Sequence, residues 1–190
     1  AGAPAISSTA SGMTLVSDAK LPDRKRQPVV NVVIIKKEAG YQFIVQGGGV
    51  ARAFLNISTE GIADWVANAR KSLYELVHLQ DAQGNYVYQG ESSTIDETTD
   101  KQSLKKLAET GALLYYNLFY NTNNEDARRM GDLLHDLSRK YQLHIQIVAE
   151  RFFFPWAFIY DGDDDELENP GYEQFWGFKH VIEYLPEFTQ

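Results

Sequence analysis

The sequence predicts an α/β sandwich, and three observations carry that expectation. Short runs rich in β-branched residues open the chain at 29–37, 41–46 and 50–57. Stretches in the middle of the chain repeat apolar residues at helical spacing. Near 141–150 and 181–185 the pattern returns to strand character. Strands, then helices, then strands fit a layered α/β domain better than a helical bundle. The chain has 190 residues, 44% hydrophobic and 23% charged, enough for one substantial domain or two small ones with a packed interior.

Residues 1–28 read as a flexible leader, because small and polar residues dominate AGAPAISSTASG and the charged run DRKRQP follows. The domain proper is expected over 29–190, with VVNVVIIKK as its first strand. Ala39-Gly40 turns the chain into YQFIVQ, and Gly47-Gly48-Gly49 leads into VARAFLNI. The triple glycine lacks the spacing of a phosphate-binding loop, so it reads as a turn or bulge. Ser58 or Thr59 caps a helix with Ile62, Trp65, Val66, Ala69, Leu73, Leu76 and Val77 on its apolar face, ending near Gln80. DAQGN then precedes a short strand at Tyr86 to Tyr88.

An internal polar loop near 89–100, containing ESSTIDETTD, separates the two halves of the chain. Thr99 or Asp100 caps the next helix, with Thr99 and Gln102 spaced for a reciprocal capping box. Leu104, Leu107, Ala108, Leu114, Tyr115 and Leu118 form its buried side. Gly111 costs that helix roughly 1 kcal/mol relative to Ala, which points to a close approach by another element. A third helix carries Ala127, Met130, Leu133, Leu134 and Leu137. In YQLHIQIVAE, Leu143, Ile145 and Ile147 alternate with more polar neighbours, as a strand requires. Pro155 breaks the run RFFFPWAFIYD into a turn or short helix, anchored by Trp156, Phe158 and Ile159. A solvated acidic loop, Asp161 to Glu168, leads to a last strand with Val181, Ile182, Tyr184 and Leu185, stopped by Pro186.

Composition excludes several functions. The net charge of −8 and the shortness of the basic clusters argue against a nucleic-acid surface. With no cysteine, the chain has no disulfide, no thiolate nucleophile and no cysteine-ligated metal. His78, His135, His144 and His180 are too dispersed for a metal motif, and DGDDDELE lacks the order of a calcium-binding loop. No cofactor motif is present, so no cofactor, metal site or catalytic residue is expected within the chain. No apolar run approaches the ~20 residues needed to span a bilayer, and the start lacks a signal-peptide pattern. A cytoplasmic protein without membrane contact is the expectation. The 11 tyrosines, 10 phenylalanines and 3 tryptophans fill a core or line a peptide groove or subunit interface.

From about Leu104 to Pro186 the order of motifs resembles the N-terminal half of a CHAT domain, a caspase-like cysteine-peptidase family related to separase. A helix like LAETGALLYYNLF is followed by a second helix and a strand, then by Phe154-Pro155-Trp156 continuing to Tyr160-Asp161. Phe175-Trp176-Gly177-Phe178 and the strand Val181 to Pro186 follow in the family order. The structural family motif is thus Phe154, Pro155, Trp156, Tyr160, Asp161 and Gly177. Ala157 stands where the family has glutamate after the tryptophan. The resemblance implies a caspase-like three-layer α/β/α sandwich with a β-rich N-terminal part, incomplete at its C-terminal side.

The same resemblance implies that the catalytic histidine, followed by glycine, and the later cysteine lie downstream of the strand resembling HVIEYLP. No residue of this chain takes either position; His180 precedes that strand and lacks a following glycine. Two functions follow as expectations. The chain is the non-nucleophilic half of a peptidase, supplying scaffold and groove walls for a protein or peptide substrate. Its partner is then a C-terminal peptidase segment carrying His-Gly and Cys. Alternatively, it is a self-contained protein-interaction or regulatory module without catalysis.

Overall fold

A computed structural model of the protein describes residues 27–88, 97–121 and 123–185. Five strands form one mixed sheet in the order β3-β2-β1-β4-β5. The strands are β1 (Val29–Lys37), β2 (Gly40–Gln46), β3 (Val50–Leu55), β4 (His144–Ala149) and β5 (Val181–Tyr184). The first three form an antiparallel meander, whereas β4 lies parallel to β1 and β5 parallel to β4. Helices α1 (Thr59–Val77), α2 (Glu97–Phe119) and α3 (Glu125–Lys140) connect β3 to β4. Short helices α4 (Asp164–Glu168) and α5 (Trp176–Lys179) lie between β4 and β5. The result is a mixed α/β architecture with a central sheet flanked by helices.

Alternation within the strands decides which face holds the core. Val30, Val32 and Ile34 of β1, Tyr41, Phe43 and Val45 of β2, and Ile145 and Ile147 of β4 are buried together with Ala69, Leu114, Met130 and Leu134 from the helices. The alternate residues Asn31, Val33, Ile35, Gln42, Ile44, His144, Gln146 and Val148 stay half-buried. A register slip of one residue would exchange these two sets, so the pattern pins the pairing. Each fully buried aliphatic side chain contributes ~1.5–3 kcal/mol relative to exposure.

Local chemistry fixes the element ends. Gly40, at φ 155°, ends the β1–β2 turn where a Cβ would stand 2.2 Å from the Leu55 carbonyl oxygen. Ser58 caps α1 by accepting a hydrogen bond from the Gly61 amide at 3.0 Å. Asn124 caps α3, its side-chain oxygen accepting from the Asp126 and Ala127 amides. Gly111 of α2 fulfils the expected close approach: a Cβ there would lie 2.4 Å from the Phe158 carbonyl oxygen.

Several expectations need correction. Gln27 and Pro28, assigned to the leader, are among the described residues, the Pro28 carbonyl accepting from the His144 amide at 3.0 Å; residues 1–26 of the leader lie outside them. Helix α1 stops at Val77, three residues before Gln80; the Leu79 amide bonds to the Leu76 carbonyl at 3.0 Å, an i−3 contact that tightens the chain out of the helix. Leu73 and Val77, assigned to its buried face, are exposed. Tyr86 to Tyr88 form no strand; Tyr86 makes an isolated bridge with Gln80. Of the polar loop, residues 89–96 lie outside the described residues, while Glu97–Asp100 are already helical. Thr99 therefore sits inside the first turn of α2 rather than capping it; Glu97 and Asp100 in that turn complement the helix dipole. The acidic stretch is not a simple loop, since Asp163 and Glu166 form a reciprocal capping box that starts α4. Pro186 lies outside the described residues.

Candidate functional site

The aromatic run after β4 builds the main cleft. Arg151 adopts φ 52°, a left-handed conformation uncommon for a side-chain-bearing residue. That bend redirects the chain from the strand, and the Arg151 carbonyl accepts from the Tyr41 hydroxyl at 3.3 Å. Phe152 and Phe154 then point into the core, whereas Phe153 between them is 87% exposed. Phe152 meets Tyr41 and Phe43 edge-on, with ring centroids 5.1 and 5.3 Å apart.

Between this run, α1 and the carboxyl ends of β4 and β5 lies a cavity of about 780 Å³. Leu73 from α1, Ala149 from β4, Phe153 and Pro155 from the run, and Tyr184 from β5 are among its walls. Leu73 is therefore exposed for a reason: it belongs to a cleft rather than to the core. Among the described residues Arg70 supplies the only charge in the lining, and no described carboxylate pairs with it. A crevice outside the carboxyl ends of parallel strands is the usual ligand position in open α/β sheets. A mainly apolar wall with one cation suits an apolar polypeptide segment bearing a carboxylate.

The six residues that carry the family resemblance lie behind this cleft and largely inside the protein. Phe154, Trp156, Tyr160 and Asp161 are buried, Pro155 is half-buried, and Gly177 is exposed. Trp156 stacks against Trp176 at 6.2 Å and meets Phe154 edge-on at 5.0 Å. The Trp176 indole N–H donates to Asp161 Oδ2 at 2.9 Å. Gly177 permits α5 to approach the 3-10 turn Trp156–Phe158, since a Cβ would lie 2.8 Å from the Ala157 carbonyl oxygen. Ala157 is itself small at that contact. The Tyr160 hydroxyl donates to the Glu166 carbonyl at 3.2 Å; burial and then the Glu166 charge push its pKa up to about 12. These six residues thus join the segment after β4 to the segment before β5; apart from Phe154 and Pro155, they do not line the main cleft.

The histidines do not converge. His180 is buried, its Nδ1 accepting from the Leu143 amide at 3.1 Å and its Nε2 lying 2.9 Å from Ser138 Oγ. Because a backbone N–H can only donate, Nδ1 carries no proton and Nε2–H donates to Ser138. Burial, followed by the charge of Lys179, lowers its pKa to about 4. A neutral histidine fixed on both ring nitrogens ties α3, β4 and β5 together and is not available as a base. His144 instead pairs with Glu183 at 3.0 Å across β4 and β5. Hydrogen bonds from Gln146 and then His144 hold the Glu183 carboxyl below its ordinary range. Among the described residues no group of three acidic or histidine side chains could hold a metal ion, and no helix is long and apolar enough to cross a membrane.

Comparison with protein families, with curated proteins and with solved structures yielded no match. The cleft is also what sequence reading missed. Its one available signal was Phe152-Phe153-Phe154, where alternation in an extended segment must expose the central ring.

Proposed function

We propose that this chain is the non-nucleophilic half of a caspase-like cysteine peptidase, supplying scaffold and groove walls to a segment that carries His-Gly and Cys. The observation that carries the reading is the free outer side of β5 beside the apolar cleft. Val181 and Leu185 donate their amides to Leu143 and Ile147, so the intervening amides of Ile182 and Tyr184 face away from β4. No described strand pairs with that side. An unpaired edge is a template for another strand. A strand added parallel to β5 would end beside the cleft, and a histidine or thiolate just after it would face the groove. The half-exposed face of the sheet, with Val33, Ile35, Ile44 and Val148, offers room for the third layer of a caspase-like sandwich. The motif order from Leu104 to Pro186 supports the family reading, while Ala157 weakens it.

Peptide hydrolysis in such an assembly requires a thiolate to attack the carbonyl, a histidine to move the proton, and N–H donors at the developing oxyanion. This chain's share is to bind and orient: the cleft holds apolar substrate residues, and Arg70 holds a carboxylate at its rim. The test is intact-mass analysis of the natively expressed protein, with its reading frame sequenced past Gln190 and thiol-directed labelling of whatever co-purifies. The expected result is a longer precursor or tightly held segment with His-Gly and a labelled cysteine. A native protein lacking both overturns the peptidase reading and favours a binding module.

A further inference from the structure

A second cavity, of about 640 Å³, lies between α2, α3 and the Asp161–Leu167 segment. It stands beside the amino ends of β4 and β5, where Asp163 approaches His135 and Arg139 of α3, and shares no lining residue with the apolar cleft. Among the described residues four carboxylates line it, those of Asp161, Asp163, Asp164 and Asp165, and His135 is the only basic side chain in its walls. Asp161 is 3% exposed. One of its oxygens accepts from Trp176, whereas no donor among the described residues reaches the other, Oδ1. An unpaired carboxylate oxygen taken out of water is costly, and native proteins rarely leave one without a function. The neighbouring carboxylate of Glu166 is satisfied differently, accepting from Arg139 at 2.8 Å and Gln174 at 3.0 Å.

Tyrosines form the remaining wall. Tyr116 and Tyr120 stack nearly parallel at 6.4 Å, and Tyr115 lies 6.0 Å from Tyr120. Tyr116 remains 52% exposed at the mouth. Burial first, then nearby charges that include Asp161 and Asp132, keeps the Tyr115 hydroxyl protonated, and it donates to the Gly131 carbonyl. Aromatic faces attract cations, and guanidinium groups stack on them while donating to carboxylates in their plane. The cavity exceeds the needs of a monatomic cation, and the described carboxylates do not converge as a metal site.

We propose that this acidic, tyrosine-walled cavity binds a guanidinium group, with Asp161 Oδ1 as its buried acceptor and Tyr116 and Tyr120 as its stacking faces. The chemistry is that of an arginine side chain, carried on a polypeptide or on a free guanidino compound. The exposed carboxylates of Asp164 and Asp165 at the rim extend the negative field beyond one group, which favours a polypeptide.

Calorimetric titration of the full chain tests this with three probes: an acetylated, amidated Ala-Arg-Ala peptide, the same peptide with citrulline, and agmatine. Citrulline keeps the shape and removes the charge. Saturable binding of the arginine peptide, at least about tenfold tighter than its citrulline counterpart, is expected for a charge-dependent aromatic site. Agmatine binding more weakly than the arginine peptide assigns the site to a polypeptide; tighter binding assigns it to a free guanidino compound, and both support the guanidinium chemistry. Asp161→Asn keeps an acceptor for Trp176 and should weaken binding at least about fivefold. Tyr116→Ala alters only a half-exposed ring and should weaken it by about threefold or more, so the test stands even if the Asp161 variant does not fold. No saturable binding of either guanidinium probe, equal affinity for arginine and citrulline, or unchanged affinity in the folded Tyr116 variant overturns the proposal.

Discussion

The two ends of the parallel pair β4 and β5 are built on opposite principles. At the carboxyl ends, apolar side chains stand around an open cleft, with Phe153 directed at solvent and Arg70 paired with no carboxylate among the described residues. At the amino ends, polar groups are buried and tied down: His180 bridges Ser138 and Leu143, and Asp161 holds Trp176. Apolar surface left exposed costs solubility unless something covers it, whereas polar groups taken inside cost stability unless they are bonded. The carboxyl end therefore offers apolar surface for association, whereas the amino end ties the chain together and leaves one carboxylate oxygen, Asp161 Oδ1, without a donor among the described residues. The sheet separates the two tasks along the length of its strands.

The largest expected effect lies in the buried end. Trp176→Ala removes a fully buried indole, its stacking on Trp156 and the Asp161 hydrogen bond. A loss of about 4 kcal/mol is expected, read as a shift in the urea midpoint. A loss below about 1 kcal/mol would mean that this end is not what holds the segments before and after α4.

His180 comes next and sharpens the contrast through pH. Its pKa of about 4 lies below the ordinary histidine value of 6.5, so the unfolded chain binds the proton more readily. Stability conferred by the neutral ring is full above pH 6.5 and is lost as pH falls toward 4. The complete loss is roughly 3 kcal/mol, of which about 2 kcal/mol falls between pH 7 and pH 5. Urea unfolding at those two pH values should show it, and His180→Gln should abolish the difference while lowering stability at pH 7. A pH-independent wild-type midpoint over that range would contradict the assignment.

Gly111→Ala addresses the seam between the two ends, where α2 touches Phe158 and Tyr160. The added methyl gains helix propensity but meets backbone, so a net loss of about 2 kcal/mol is expected from overpacking. A gain in stability would show that the seam can open. Phe153→Ser should be the mildest, changing stability by less than about 0.5 kcal/mol while reducing the binding of an apolar fluorescent dye at the cleft. A large destabilisation would place Phe153 in the core and close the cleft as a site.

Sequence pattern reached the framework more readily than the site. The first three strands, the apolar side of α2 and the alternation Leu143, Ile145, Ile147 were legible because periodicity reports which face is buried. The role of Gly111 was legible because a helix-weakening residue needs a compensating contact. Element ends were less legible: α1 ends short of Gln80, where the Leu79 amide turns to the Leu76 carbonyl, a local choice that propensity does not encode. Leu73 and Val77 carried the right spacing for burial, yet Leu73 lines the apolar cleft and Val77 a smaller cavity beside α2, and period alone cannot tell a core stripe from a cleft wall. The acidic stretch looked like a solvated loop because its order comes from Arg139, 27 residues away from Glu166. Burial of Asp161 depended in the same way on Trp176.

The association side of the comparison rests on the edge of β5 that no described strand covers, and amide hydrogen exchange there tests it most directly. The amides of Ile182 and Tyr184 should exchange rapidly in the isolated chain and become protected in the protein isolated from its native source. The amides of Val181 and Leu185, already bonded to β4, should be protected in both. Strong protection of Ile182 and Tyr184 in the isolated chain, or rapid exchange of both in the native assembly, would contradict a sheet completed by a further strand.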